Sequence, residues 1–113
     1  MKKLLLALVP FTFALPAHAY FSSPSAFQAA FNRVNWGNGT YTTLSHASQC
    51  QSFVWDDIDL ERVVMIPGKG YKCYSGWITV KDPQGTRVCK LKYASYSEKR
   101  NWWSYDTHNC RWK

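Results

Sequence analysis

The spacing of apolar and polar residues divides the chain into an apolar leader, one short helix and a series of strands. Leu4 to Leu15 is an apolar run, interrupted by Pro10 and Thr12 and preceded by Lys2 and Lys3. Ala17-His18-Ala19 adds a small-x-small step, which completes a bacterial type of secretory signal with cleavage near Ala19. The run is too short to cross a bilayer as a stable helix. The expected mature chain, residues 20–113, is therefore a single small domain with no transmembrane segment. In it Ser23 reads as a helix N-cap and Pro24 as the first helical residue. Phe27, Ala30, Phe31 and Val34 follow at spacings of three and four, an apolar stripe suited to docking on a sheet. Trp36-Gly37-Asn38-Gly39 is expected to end this helix.

Everything downstream reads as β structure. The pattern predicts strands over Thr40–Leu44, Ser52–Trp55 and Arg62–Ile66, a turn at Pro67-Gly68-Lys69-Gly70, and longer strands over Gly70–Val80, Thr86–Tyr96 and Trp102–Cys110. Asp82-Pro83-Gln84-Gly85 is a strong hairpin signal, with Pro at the second turn position and Gly at the fourth. Ser97-Glu98-Lys99-Arg100 is a weaker one. The predicted class is α+β: one N-terminal amphipathic helix packed on a mainly antiparallel sheet and stapled by two disulfides.

Strand alternation assigns the faces. With Lys81 opposite Thr86 and Ser97 opposite Arg100, one face carries Ile78, Val80, Cys89, Leu91 and Cys110, the more aliphatic set and the expected core. The other carries Tyr71, Cys73, Trp77, Lys90, Lys92, Ala94, Trp103 and Tyr105. Cys73 and Cys89 then fall on opposite faces, five positions apart, and cannot meet. The preferred bridges are Cys50 with Cys73 and Cys89 with Cys110; a bulge would exchange the faces beyond it and favour the crossed pairing, Cys50 with Cys89 and Cys73 with Cys110. Spacings of 23, 16 and 21 residues contain no close ligand pair, so zinc is not expected. Neither is any other metal or a cofactor.

Charge sharpens the picture. Without the leader, twelve Lys and Arg face seven Asp and Glu, and the excess is uneven: residues 20–61 carry −3 and residues 62–113 carry +8. A basic half attracts anionic surfaces, among them acidic glycans, lipopolysaccharide or an acidic protein, with nucleic acid the less favoured anion. Six Trp and seven Tyr are many for so small a domain. Rings interleaved with cations on one face suit stacking on ring-bearing anionic ligands, and Tyr71, Trp77, Lys90, Lys92, Trp103 and Tyr105 form the candidate patch. The competing expectation is that the helix covers these rings and the lysines reach past it to water.

No complete catalytic set is present. The most substantial enzyme reading is a small basic hydrolase of ribonuclease type, with His46 and His108 as acid and base beside Lys90, Lys92 or Arg87. Nothing in the spacing brings the two histidines together. Asp56-Asp57-x-Asp59-x-Glu61 lacks the glycine and terminal glutamate of a calcium loop; it is a solvated turn or a counter-charge, and a place where a basic protein could dock. The expected function is that of a secreted or periplasmic binding module using a basic, aromatic-rich sheet face. The alternatives are the hydrolase, and an inhibitor or immunity-type protein that neutralises another secreted protein.

Overall fold

Residues 21–113 are described by a computed structural model; the predicted leader, residues 1–19, lies outside them. The described chain is one short helix, α1 (Pro24–Phe31), followed by a four-stranded antiparallel meander: β1 (Tyr41–Asp59), β2 (Val64–Asp82), β3 (Gly85–Ser97) and β4 (Trp102–Trp112), in the order β1-β2-β3-β4. Ser23 caps α1, its Oγ accepting from the Ala26 N–H at 3.1 Å, with Pro24 in the first turn as expected. The helix is shorter than its stripe: it stops at Phe31, with Asn32 as C-cap, so Val34 lies beyond it.

Phe27 and Phe31 are fully buried and sit in one cluster with Leu44, Tyr71, Cys73, Ile78, Val80, Leu91 and Ala94. Two further α1-side residues close the outer edge of β1. The Asn32 amide accepts from the Leu44 N–H at 2.7 Å and donates to the Leu44 carbonyl at 3.0 Å, and Gln28 Oε1 accepts from the Ala47 N–H at 3.0 Å. Asn32 thus substitutes for a strand residue where an unpaired edge would otherwise invite another chain.

Two predicted breaks are absent. Thr40–Leu44 and Ser52–Trp55 are parts of the continuous β1, and β2 runs straight through Pro67-Gly68-Lys69-Gly70. The reason is packing. Gly68 lies opposite Trp55 and Gly70 opposite Phe53; a Cβ on Gly68 would sit 2.5 Å from the Trp55 indole, and one on Gly70 would run into the Tyr96 carbonyl oxygen and sit 3.0 Å from the Phe53 ring. These glycines make room for two rings and do not turn the chain. Pro67 is tolerated because β2 pairs with β3 only from Gly70 onward, and with the Glu98 N–H held by the Lys69 carbonyl, residues 64–68 have one free side. The β1–β2 turn is built by Asp59 instead, whose Oδ1 accepts from the Glu61 and Arg62 N–H groups at 3.0 and 3.3 Å.

The first predicted hairpin register stands, with Lys81 opposite Thr86. The second is shifted: Ser97 faces Trp102, not Arg100, and Asn101 takes a φ of 50° in the turn. Uniform alternation fails in the middle of the sheet. In β2 the buried positions pass from Tyr71 and Cys73 to Ile78 and Val80, and in β3 from Cys89 and Leu91 to Ala94, so each strand changes parity once. The change falls at Gly76, whose φ is 145°, and at a register shift between Leu91 and Tyr93; β1 is irregular alongside, between Ser45 and Ser48. A row of irregularities across adjacent strands keeps a single core under α1 while reversing which residues face it.

The bridges are Cys50–Cys73 and Cys89–Cys110, leaving no free cysteine. Cys50 and Cys73 are direct cross-strand partners of β1 and β2. Cys73 and Cys89 share the core face and are kept apart by distance along the strands, not by facing opposite ways. Two disulfides suit an oxidising periplasmic or extracellular setting. Among the described residues no helix is long and apolar enough to cross a membrane.

Candidate binding surface

The parity change divides the six residues of the predicted patch between two faces. Tyr71 is buried beneath α1, its ring 5.2 Å from that of Phe27. Trp103 packs 5.4 Å from Phe27, and Tyr105 lies 5.9 Å from Phe31 and 5.0 Å from Trp36. These three belong to the core, because β3 and β4 pair Tyr96 with Trp103 and Ala94 with Tyr105 on the helix side. Burial holds the Tyr71 phenol above its ordinary pKa. Trp77 and Lys90 are cross-strand partners on the opposite face, where the Lys90 ammonium stands 5.9 Å from the Trp77 ring centre. Lys92 is exposed and pairs with Asp106 at 3.6 Å.

The histidines of the hydrolase reading do not converge. His46 lies in the irregular stretch of β1, while His108 is opposite Lys90 on β4. These are the two edge strands, with β2 and β3 between them, a separation of three strand steps of about 4.8 Å each. That is beyond the reach of an acid and base serving one phosphodiester. The acidic stretch is also taken up locally: Asp59 pairs with Arg62 at 2.7 Å and Asp57 with Arg100 at 3.0 Å.

The sheet face away from α1 gathers a different constellation. Cross-strand pairing puts Phe53, Gly70, Ser97 and Trp102 in one row, Gln51, Lys72, Ser95 and Ser104 in the next, and Trp55 beside Gly68. Of these, Phe53, Trp55, Lys72, Ser95, Ser97, Trp102 and Ser104 line a shallow, open groove of about 640 Å³ together with Asp57, Tyr93 and Arg100. Phe53 and Trp55 lie stacked over the buried glycine pair, ring centres 5.0 Å apart and planes 30° from parallel. Lys72 stands at the groove's centre, its Nζ 5.1 Å from the Tyr93 ring, 5.3 Å from Phe53 and 5.8 Å from Tyr74. Ser95 and Ser104 share a hydroxyl hydrogen bond of 2.8 Å along the wall.

Arg100 closes one end by donating from Nη2 to Asp57 Oδ1, which ties the β3–β4 turn to the β1–β2 ribbon. The Asp57 carboxyl is held below its ordinary pKa, first by the Ile58 N–H at 2.8 Å and then by Arg100, against the opposing effect of burial. It stays an anion at neutral pH. Phe53, Trp55, Lys72, Tyr74, Tyr93 and Arg100 lie outside the patch that the sequence predicts. The signal that finds them is the pairing of Phe53 and Trp55 with Gly70 and Gly68, which is visible only when the glycines are read as strand residues. Among the described residues no group of His, Cys, Asp or Glu is arranged to hold a metal. Compared with known proteins, the chain matches no protein family, no curated protein and no solved structure.

Proposed function

We propose that this protein is a binding module, acting in the bacterial periplasm or outside the cell, that holds an anionic, ring-bearing ligand on the sheet face away from α1. The setting is supported by the two disulfides and the leader-like residues 1–19. The observation that carries the binding role is Lys72, an ammonium that makes no ion pair among the described residues and is ringed by Phe53, Tyr74 and Tyr93 within 5.8 Å. Stacked rings offer a ligand an apolar face, and the neighbouring Lys72 offers charge. Trp77 with Lys90 extends the same chemistry along the sheet. Acidic glycans and the sugar-phosphate part of lipopolysaccharide are the ligand classes that fit. In a binding assay with heparin as probe, Lys72→Gln should lower affinity most at low salt, because exposed charge is screened over roughly 8–10 Å, while Trp55→Ala should lower it at every salt concentration. Equal binding by both variants and the parent would remove this role.

One observation favours a protein partner as a second reading. Of the exposed large apolar residues, Val54, Ile58, Leu60, Val63, Val64 and Met65 all fall in the β1–β2 ribbon, among Asp56, Asp57, Asp59 and Glu61. An apolar tip beside the carboxylates of Asp56 and Glu61, which no ion pair takes up among the described residues, suits a basic protein surface, as an inhibitor or immunity-type protein would require. Leu60→Asp with Val63→Asp would abolish such a contact and leave heparin binding unchanged.

A further inference from the structure

Asp57 and Lys72 require opposite chemistry from whatever fills the groove. At one end Asp57 is 9% exposed; its Oδ1 receives the Ile58 N–H and Arg100, but its buried Oδ2 has no hydrogen-bond partner. A carboxylate oxygen can only accept, and leaving it unmatched in a desolvated place is costly. The ligand group that reaches it must therefore be a donor. Ser97 Oγ, buried on the groove wall and also without a partner, can accept from the same ligand or donate to it. At the centre, Lys72 has only donors to offer, so the ligand group that meets it must be an acceptor, and an anion best satisfies the ammonium. Between the two lie Phe53 and Trp55, each set against a glycine, so they provide a platform rather than a slot.

A ring with a flat C–H face, hydroxyl donors on one edge and a carboxylate on another meets all three demands. A nucleic acid meets them less well, because a phosphate at every nucleotide would run past the unmatched oxygen of Asp57. We propose, resting on the binding role above, that the groove takes a uronic-acid saccharide. Its carboxylate meets Lys72, its ring face lies on Phe53 and Trp55, and a sugar hydroxyl donates to Asp57 Oδ2.

The test is calorimetric titration of the oxidised protein with four probes: oligogalacturonate, its methyl-esterified neutral form, inorganic polyphosphate of matched charge, and oligothymidylate. Oligogalacturonate is expected to bind best, with the ester weaker by about tenfold or more, the worth of one charge-assisted hydrogen bond. Asp57→Asn should weaken oligogalacturonate by a similar factor and leave polyphosphate unchanged or tighter. Lys72→Gln, which disturbs no ion pair, provides the second variant should Asp57→Asn unfold, and it should erase the preference for the acid over the ester. Equal affinity for all three anions, or tightest binding of polyphosphate or oligothymidylate, would overturn the uronate assignment while leaving an anion-binding groove. Binding of no probe, or binding indifferent to both Lys72→Gln and Trp55→Ala, would overturn the groove itself.

Discussion

Gly68 and Gly70 form a floor for two rings and not a turn, and one added methyl group tests this. In Gly68→Ala the new Cβ would stand 2.5 Å from Trp55 Cε2, 2.6 Å from Cζ2 and 2.9 Å from Nε1. All three nearest atoms belong to the indole, so the strand can stay where it is only if the ring lifts. A lifted ring gives up its stacking on Phe53, worth about 0.5–1.5 kcal/mol, together with part of its contact with the sheet. Inserting a methyl into an occupied space costs about 1–3 kcal/mol in general, and this substitution should fall in that range. In a Trp55→Ala background the same methyl meets no ring. There it should be neutral or stabilise by up to about 0.5–1 kcal/mol, because alanine loses less conformational freedom than glycine in an extended strand.

The two effects have opposite sign, so a double-mutant cycle should return a coupling of roughly 1–3 kcal/mol between residues 68 and 55. Urea unfolding of the four proteins, with slopes compared to confirm that only stability has changed, measures it. The same cost for Gly68→Ala in both backgrounds would refute the ring-floor account and place the role of Gly68 in its backbone. Gly70 serves as a control. Its Cβ would also press on the Tyr96 carbonyl, which no side-chain deletion moves, so Phe53→Ala should rescue Gly70→Ala only in part.

Other outcomes follow from the core and its charges. Phe31 is fully buried between Phe27, Trp36, Trp103 and Tyr105, so Phe31→Ala should destabilise by about 3–5 kcal/mol; melting unchanged within a degree or two would mean that α1 is a detachable arm. Removing Cys50–Cys73 by paired alanines should cost about 2–5 kcal/mol and more than removing Cys89–Cys110, since Cys73 and Cys89 are both buried but Cys50 is half-buried where Cys110 is exposed; equal midpoints in urea would count against this. Asp57 and Asp59 are both held below their ordinary pKa, Asp59 chiefly by Arg62. A lowered folded-state pKa means stability present above about pH 4 and lost as the pH falls through the lowered values, so Asp59→Asn should flatten the acid side of a stability profile and leave the neutral side lower.

Much of the fold can be read from the chain because it rests on local chemistry. Ser23-Pro24 specifies a helix start, Asp82-Pro83-Gln84-Gly85 specifies a hairpin, and the latter's register fixes Cys73 away from Cys89. What could not be read depends on tertiary context. Pro67-Gly68-Lys69-Gly70 has the composition of a turn, and only the rings of β1 reveal it as strand. Gly76 gives no sign that it reverses alternation, since an isolated glycine in a strand pattern is equally compatible with a straight run. That reversal moved Tyr71, Trp103 and Tyr105 under α1. It left Trp77 and Lys90 facing outward.

The division of rings between the two faces follows from the size of α1. Eight helical residues span about 12 Å, whereas the nineteen of β1 or β2 extend about 60 Å. So short a helix covers one stretch of one face, and the rings it can reach are those of the core. Phe53, Trp55 and Tyr93 lie on the other side and must be held in place by other means: glycines beneath Phe53 and Trp55, Lys72 against Phe53 and Tyr93, and the Asp57–Arg100 pair at the end of the row. None of these devices removes the rings from water. A face that organises aromatic groups without burying them retains apolar surface for something else to cover, and its cations and unmatched acceptor oxygen set the chemistry of what can do so.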